Sequence, residues 1–270
     1  VRVSLCEING YAIDPVVDGI GRLRPAETFP AVAADRWERH RPLLDRGGLL
    51  PITVGGFLVR GHDRIILIDL GYGPGSLGDT PTGRLLDSLR ALAVEPADVT
   101  DVLFTHLHRD HIGWASVDAV PQFPNATFRC DPADYGYFVE QGKEPAVAER
   151  LGPCARQFEA FDDSELPPGI TTVHAPGHTP GSTIVVLSAG TARLLMLGDV
   201  VHCPVQLLEP DWTTPWDVDP ALARRTRKRL ISEVAGESSV ELAGAHFPGM
   251  RFGRLLGTGR HRRWLAGEPP

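Results

Sequence analysis

The sequence predicts an α/β fold of two similar halves, each a sheet covered by helices on one face. Three observations carry this. Segments of strand and helix character follow one another in the order strands, helices, strands, helix, strands, as expected of sheets with helices packed outside them. Hydrophobic residues make up 42% of the 270 and charged residues 23%, which is enough apolar material for a sizeable core. Glycine (29) and proline (24) punctuate the chain without marking a linker, so residues 1–270 read as a single domain.

Each element has a local reason. Residues 3–8, 52–59 and 64–70 are apolar and β-branched, and the last two are joined by Gly61-His62-Asp63 in hairpin fashion. Between the first two lies the stretch 14–50, rich in Pro, Gly and Arg, with one short helix expected around 31–40. It reads as a long excursion, a lid or binding loop. A helix is expected over 82–93 behind Pro81, then a strand over 99–105 after Pro96. Residues 126–130 form the next strand, and Asp131-Pro132 opens a helix by capping it and taking its first turn. Strands over 170–174, 183–188 and 192–197 follow. A helix then runs from Asp219-Pro220 to Gly236, with cap, first-turn proline and terminal glycine in place. Strands over 240–245 and 253–264 complete the second half.

Charge and cysteine usage narrow the class. The net charge is 27 − 34 = −7, so the overall field repels phosphate backbones, and neither nucleic acid nor a membrane surface is an expected partner. The basic run at 224–229 reads as a solvated helix face, because Leu222, Leu230, Ile231 and Val234 supply an apolar side. Cys6, Cys130, Cys154 and Cys203 are scattered without a C-x-x-C pair, which suggests neither a disulfide framework nor a thiolate zinc site. A reducing, cytoplasmic setting is expected. No segment approaches the ~18 apolar residues of a membrane span.

The chemistry concentrates after the apolar strand Val102-Leu103-Phe104, where the chain reads Thr105-His106-Leu107-His108-Arg109-Asp110-His111. Histidines two apart at the end of an extended segment point the same way. Asp110 and His111 then turn onto the next element and face a second point nearby. Imidazole and carboxylate together suit zinc or another first-row metal. Three further candidates sit at strand ends: His178 in Pro176-Gly177-His178-Thr179-Pro180-Gly181, Asp199 after Leu197-Gly198, and His246 after residues 240–245. Alone, each would read as an ordinary structural residue.

In this order the set resembles the metallo-β-lactamase-fold hydrolases, whose signature is H-x-H-x-D-H followed by a distant His, a bridging Asp and a final His. Ile68-Asp69-Leu70-Gly71 is similar to the family's early strand-Asp-x-Gly motif. The resemblance covers almost the whole chain and implies an αββα sandwich with two metal ions at one edge. By position, it implies that His106, His108 and His178 bind one ion, that Asp110, His111 and His246 bind the other, and that Asp199 bridges. Asp69 would orient a ligand histidine from behind. Two zinc ions per chain are expected, with iron, manganese or cobalt also within the donor chemistry. Such a pair, held ~3.5–4 Å apart, supplies hydroxide near neutral pH for attack on a substrate. Asp110 would help hold that hydroxide as a catalytic residue.

Within the family, Gly198-Asp199 argues against the β-lactamases, which lack the bridging Asp. The acidic charge and single-domain length argue against nucleases. The branch implied is that of N-acyl-homoserine lactonases and methyl-parathion-hydrolase-like enzymes. Lactonases of this branch place Tyr three residues after the bridging Asp, whereas this chain has His202, expected to be catalytic by donating a hydrogen bond to substrate or assisting a leaving group. Trp212, Trp216 and Phe247 are expected to wall a small-molecule pocket. The expected activity is hydrolysis of a lactone or carboxylic ester, with phosphotriester behind them, and the oligomeric state is left open to a homodimer. The alternatives are a mononuclear-iron dioxygenase of a thiol-persulfide and a metal-stabilised binding protein without turnover.

Overall fold

The computed structural model describes residues 6–267, so the beginning of the expected first strand, at residues 3–5, lies outside it. Among the described residues the chain builds two large sheets. The first runs in spatial order Cys6–Ile8, Tyr11–Leu23, Leu50–Gly61, Arg64–Ile68, Asp101–Leu103, Thr127–Cys130, Phe158–Ala160. Its pairs are antiparallel up to Arg64–Ile68 and parallel beyond it. The second is Ile170–His174, Thr183–Ala189, Ala192–Met196, Val240–Ala243, Gly253–Leu256, Arg263–Ala266. Only its Ala192–Met196 and Val240–Ala243 pair is parallel.

Side-chain alternation explains the layering. In the first sheet Ile66, Ile68 and Leu103 face the second sheet and meet Val185, Leu187, Leu194 and Met196 in a dry inner layer. The intervening Leu67 and Val102 face outward, where Leu85 and Leu89 of the helix Leu85–Ala91 and Val147 and Leu151 of the helix Pro145–Leu151 cover them. In the second sheet Ile184, Val186 and Leu195 face outward against Leu230, Ile231 and Val234 of the helix Pro220–Val234. Period-2 strands between period-3.6 helices give four layers, the expected αββα sandwich.

Several boundaries differ from expectation. Residues 14–23 are not part of an excursion: Tyr11–Leu23 is a long strand paired with Leu50–Gly61, with a register shift between Val17 and Gly19. Pro15, Asp18 and two glycines hide its pattern. The excursion is thus 24–49, carrying 3₁₀ turns over Ala34–Leu43. The helix expected from 82 starts at Leu85, because Thr80–Thr82 pairs with Gly75–Leu77. The last expected strand is split by a 3₁₀ turn at Gly259–His261. The basic run is not wholly solvated: Arg224, Arg225, Lys228 and Arg229 are exposed, but Arg227 is fully buried. No helix among the described residues is long and apolar enough to cross a membrane.

Candidate metal centre

Strands that run parallel end at the same edge, and the polar residues just beyond those ends converge there. Asp69 follows Arg64–Ile68, His106 follows Asp101–Leu103, Asp199 follows Ala192–Met196, and His246 follows Val240–Ala243. The short helix Arg109–Ile112 starts directly after His108 and carries Asp110 and His111, so the sequence motif does split between a strand end and a new element. Gly198 has φ of 50°, and a Cβ there would lie 2.6 Å from Thr105 Oγ1. Glycine is what lets Asp199 approach the His106 strand.

Three imidazole nitrogens meet at one point: His106 Nε2 to His108 Nδ1 is 3.1 Å, His108 Nδ1 to His178 Nε2 is 2.9 Å, and His178 Nε2 to His106 Nε2 is 3.2 Å. A second group lies beside it, with His246 Nε2 3.3 Å from Asp110 Oδ2 and His111 Nε2 4.0 Å from Asp110 Oδ1. Asp199 stands between them. Its Oδ1 is 3.5 Å from His111 Nε2 and 3.4 Å from His246 Nε2, while its Oδ2 is 3.6 Å from His178 Nε2.

The outer nitrogens fix which ring atom faces inward. His111 Nδ1 lies 2.8 Å from Asp69 Oδ2 and His178 Nδ1 lies 3.0 Å from Asp217 Oδ1. His246 Nδ1 reaches the Thr53 carbonyl at 3.1 Å, and His106 Nδ1 reaches Thr105 Oγ1 at 3.2 Å. The Thr105 hydroxyl itself donates to Asp69, so its oxygen accepts from His106. His108 alone turns its Nε2 outward, 3.9 Å from Glu144 Oε1. With the outer N–H groups of His106 and His178 held by acceptors, their inner nitrogens present lone pairs. Lone pairs crowded at about 3 Å repel unless a cation lies among them.

Electrostatics agrees with that requirement. Burial, reinforced by the neighbouring imidazoles, holds His106 well below its ordinary value and His108 down to about 3. Burial acts in the same direction on His111, but Asp69, Asp199 and Asp110 outweigh it and lift the group to about 10. His246 is likewise raised, its burial overcome by Asp199 and Asp110. Burial would raise Asp199, yet His246, His202 and His111 hold it well below the carboxylate range. The carboxylates therefore demand positive charge at this point. His111 Nε2 and Asp199 Oδ1 are buried without a hydrogen-bond partner among the described residues, which further fits a donor set built for metal ions.

The remaining predicted residues divide. His202 joins the cluster, with Nε2 3.2 Å from Asp199 Oδ2 and burial pushing it down to about 4. Trp216 lies beside it, ring centroids 5.6 Å apart, and lines a cavity of about 720 Å³ above the centre. Leu23, Leu50, Ile52, Leu77 and Val218 supply much of the rest of its apolar wall. Trp212 and Phe247 do not line it. Trp212 packs against Phe29 and Trp37, and Phe247 packs edge-on against Trp264 inside the second helix layer. Their aromatic character serves packing, the commoner fate of a buried aromatic.

Sequence reasoning missed four supporting residues. Asp217 holds His178, and Arg227 lies 3.8 Å behind it. Asp18, fully buried, accepts N–H donors from Tyr72, Gly73, Gly83, Leu85 and the Trp114 indole, fixing the loop that supplies Leu77. Asp134 bonds to both histidine loops. None has a local signature, since every partner is distant in sequence.

Comparison with known proteins places this geometry. The Metallo-beta-lactamase superfamily profile matches residues 56–246. Among curated relatives, the N-acyl homoserine lactonase AttM of Rhizobium radiobacter is 29% identical over 126 residues, 42% of this chain. That alignment spans only 44% of the length of AttM. An N-acyl homoserine lactonase of Bacillus cereus is 23% identical over 219 residues, 74% of this chain and 84% of that protein. Among solved structures, the dizinc quorum-quenching lactonase AidC, in complex with a homoserine product, superposes with a TM-score of 0.85 at 21% identity over 98% of both chains. The hydrolase AbOPH gives 0.85 at 22% identity over 99% of both.

Proposed function

The chain belongs to the metallo-beta-lactamase superfamily, and from that premise we propose that it is a metal-dependent hydrolase of small ester-like substrates, a lactone foremost, with carboxylic ester and phosphotriester behind. The observation that carries the proposal is the two facing donor clusters with Asp199 between them. In this reading His106 Nε2, His108 Nδ1 and His178 Nε2 hold one ion, Asp110, His111 and His246 hold a second, and Asp199 serves both. Zinc fits the mixed nitrogen and oxygen donors. Bound there, the ions supply Lewis-acid polarisation of a substrate oxygen and acidify water.

The chain's own residues do the rest. Asp69, Asp217 and the Thr53 carbonyl lock the ring orientations of His111, His178 and His246. The apolar wall from Leu23 to Val218 takes the hydrocarbon part of the substrate and keeps bulk water out. His202, buried and held neutral near pH 7, has no hydrogen-bond partner on either ring nitrogen among the described residues, leaving it free to donate to a substrate or leaving-group oxygen. The segment 24–49 bears on the same cavity through Thr28, which supports its role as a lid.

The lactonase names carried by the relatives favour this reading over a persulfide dioxygenase or a binding protein without turnover. Metal-quantified protein assayed against an N-acyl homoserine lactone, an aryl ester and an aryl phosphotriester tests it. Turnover of the lactone is the expected result. Failure to hydrolyse all three would overturn the proposal.

A further inference from the structure

Asp134 is fully buried and takes no part in the chemistry above. It ends the short helix Pro132–Asp134, which Asp131 caps through the Ala133 N–H at 2.8 Å. Asp134 Oδ2 accepts from the Leu107 N–H at 3.0 Å and from the Thr179 hydroxyl at 2.9 Å, and Oδ1 accepts from the Gly181 N–H at 2.6 Å. Leu107 lies between His106 and His108, and Thr179 directly follows His178. One carboxylate thus spans the two loops that carry the three convergent imidazoles.

The arrangement has little slack. A Cβ at Gly181 would lie 2.7 Å from the Asp134 nitrogen, so only glycine lets the second loop come this close. Ser182 Oγ holds the Thr179 N–H at 2.9 Å and lies 2.8 Å from its hydroxyl, fixing Thr179 towards the carboxylate. One turn further on, Phe138 meets the His108 ring edge-on at 5.3 Å.

We propose that Asp134 is a positioning residue for the three-histidine half of the centre, keeping the nitrogens of His106, His108 and His178 at a spacing one metal ion can use. The inference rests on the reading that those nitrogens bind metal. Its reason is preorganisation: loops untied from each other must be gathered when the ion binds, and outer partners of this kind are worth about 10- to 100-fold in metal affinity. Among the described residues the Asp134 carboxylate bonds to Leu107, Thr179 and Gly181 and not to Asp110, His111 or His246, so the second cluster should not feel its loss.

Zinc binding to Asp134→Ala, Asp134→Asn and the unmodified protein, measured by competition with a chromogenic chelator and by cobalt absorption spectra, tests this. The unmodified protein should bind two equivalents. In Asp134→Ala one equivalent should weaken at least ~10-fold while the other keeps its affinity. Asp134→Asn should fall between, since its amide oxygen still accepts from Gly181 while its NH₂ opposes the Leu107 N–H. If the alanine variant does not fold, the asparagine variant alone decides. Two equivalents of unchanged affinity and spectrum in the folded variants, or equal weakening of both, would overturn the positioning role. An unmodified protein that binds no zinc would instead overturn the proposed function and this inference with it.

Discussion

His202 stands 3.2 Å from the carboxylate that separates the two clusters, yet among the described residues neither of its nitrogens is engaged in a hydrogen bond. A buried imidazole left in that state awaits a partner. His202→Ala is expected to leave metal content intact and to lower the catalytic rate by ~10²-fold, the scale of losing one positioned donor. His202→Tyr should then raise the ratio of lactone to phosphotriester turnover. A drop in metal content in the alanine variant would assign His202 to metal binding, and an unchanged rate would make it structural. At the same scale, His111 at about 10 and His246 raised give the metal-free site a pH signature. A histidine raised in the fold stabilises it below the ordinary value of 6.5, and that stability is lost as pH rises through about 10. Metal binding must expel those protons, so zinc affinity climbs with pH. The rise in Tm produced by a fixed free zinc concentration should therefore grow from about pH 6 to about pH 9. A rise that is flat or shrinking over that interval contradicts the assignment.

The elements show why part of the centre was legible and part was not. The 106–111 motif can be read because strand period and helix start place four donors within six residues, and the structure splits it between Asp101–Leu103 and Arg109–Ile112 as expected. The supports cannot be read that way. Asp134 reaches Leu107 and Gly181 across 27 and 47 residues, and one aspartate among many carries no mark of such contacts. Arg227 hides inside a run of basic residues whose other members are solvated. Only the helix Pro220–Val234 docking on the sheet turns it inward, where Nε donates to the Val200 carbonyl at 2.8 Å and Nη1 to the Trp212 carbonyl at 2.7 Å. It also faces Asp217, itself 7% exposed. Arg227→Ala removes the counter-charge behind Asp217 and the guanidinium donors to the Val200 and Trp212 carbonyls, and a loss of about 3 kcal/mol is expected, read by chemical unfolding. Under the proposed function, metal binding through His178 should weaken with it, because Asp217, which holds His178 Nδ1, loses its counter-charge. A variant as stable as the parent would remove Arg227 from the account.

At the scale of the molecule, two sheets pack face to face so that parallel strands from each half end at one edge, and the donors collect there without any one loop holding them all. The short apolar runs Ile65-Ile66-Leu67-Ile68 and Leu194-Leu195-Met196-Leu197 made those strands legible, and the structure shows their side chains alternating between the two faces. The long strand Tyr11–Leu23 was not legible, because Pro15, the buried Asp18 and two glycines interrupt its pattern, Asp18 serving the neighbouring loop and Gly19 lying at the bulge. Asp199 is where both halves meet, one oxygen towards His178 and the other towards His111 and His246. Metal stoichiometry and lactone turnover of Asp199→Ala therefore test the central claim most directly. The account predicts two zinc equivalents in the parent, reduced occupancy in the variant and abolished turnover. A variant that keeps two tightly bound ions and near-parental activity would contradict it.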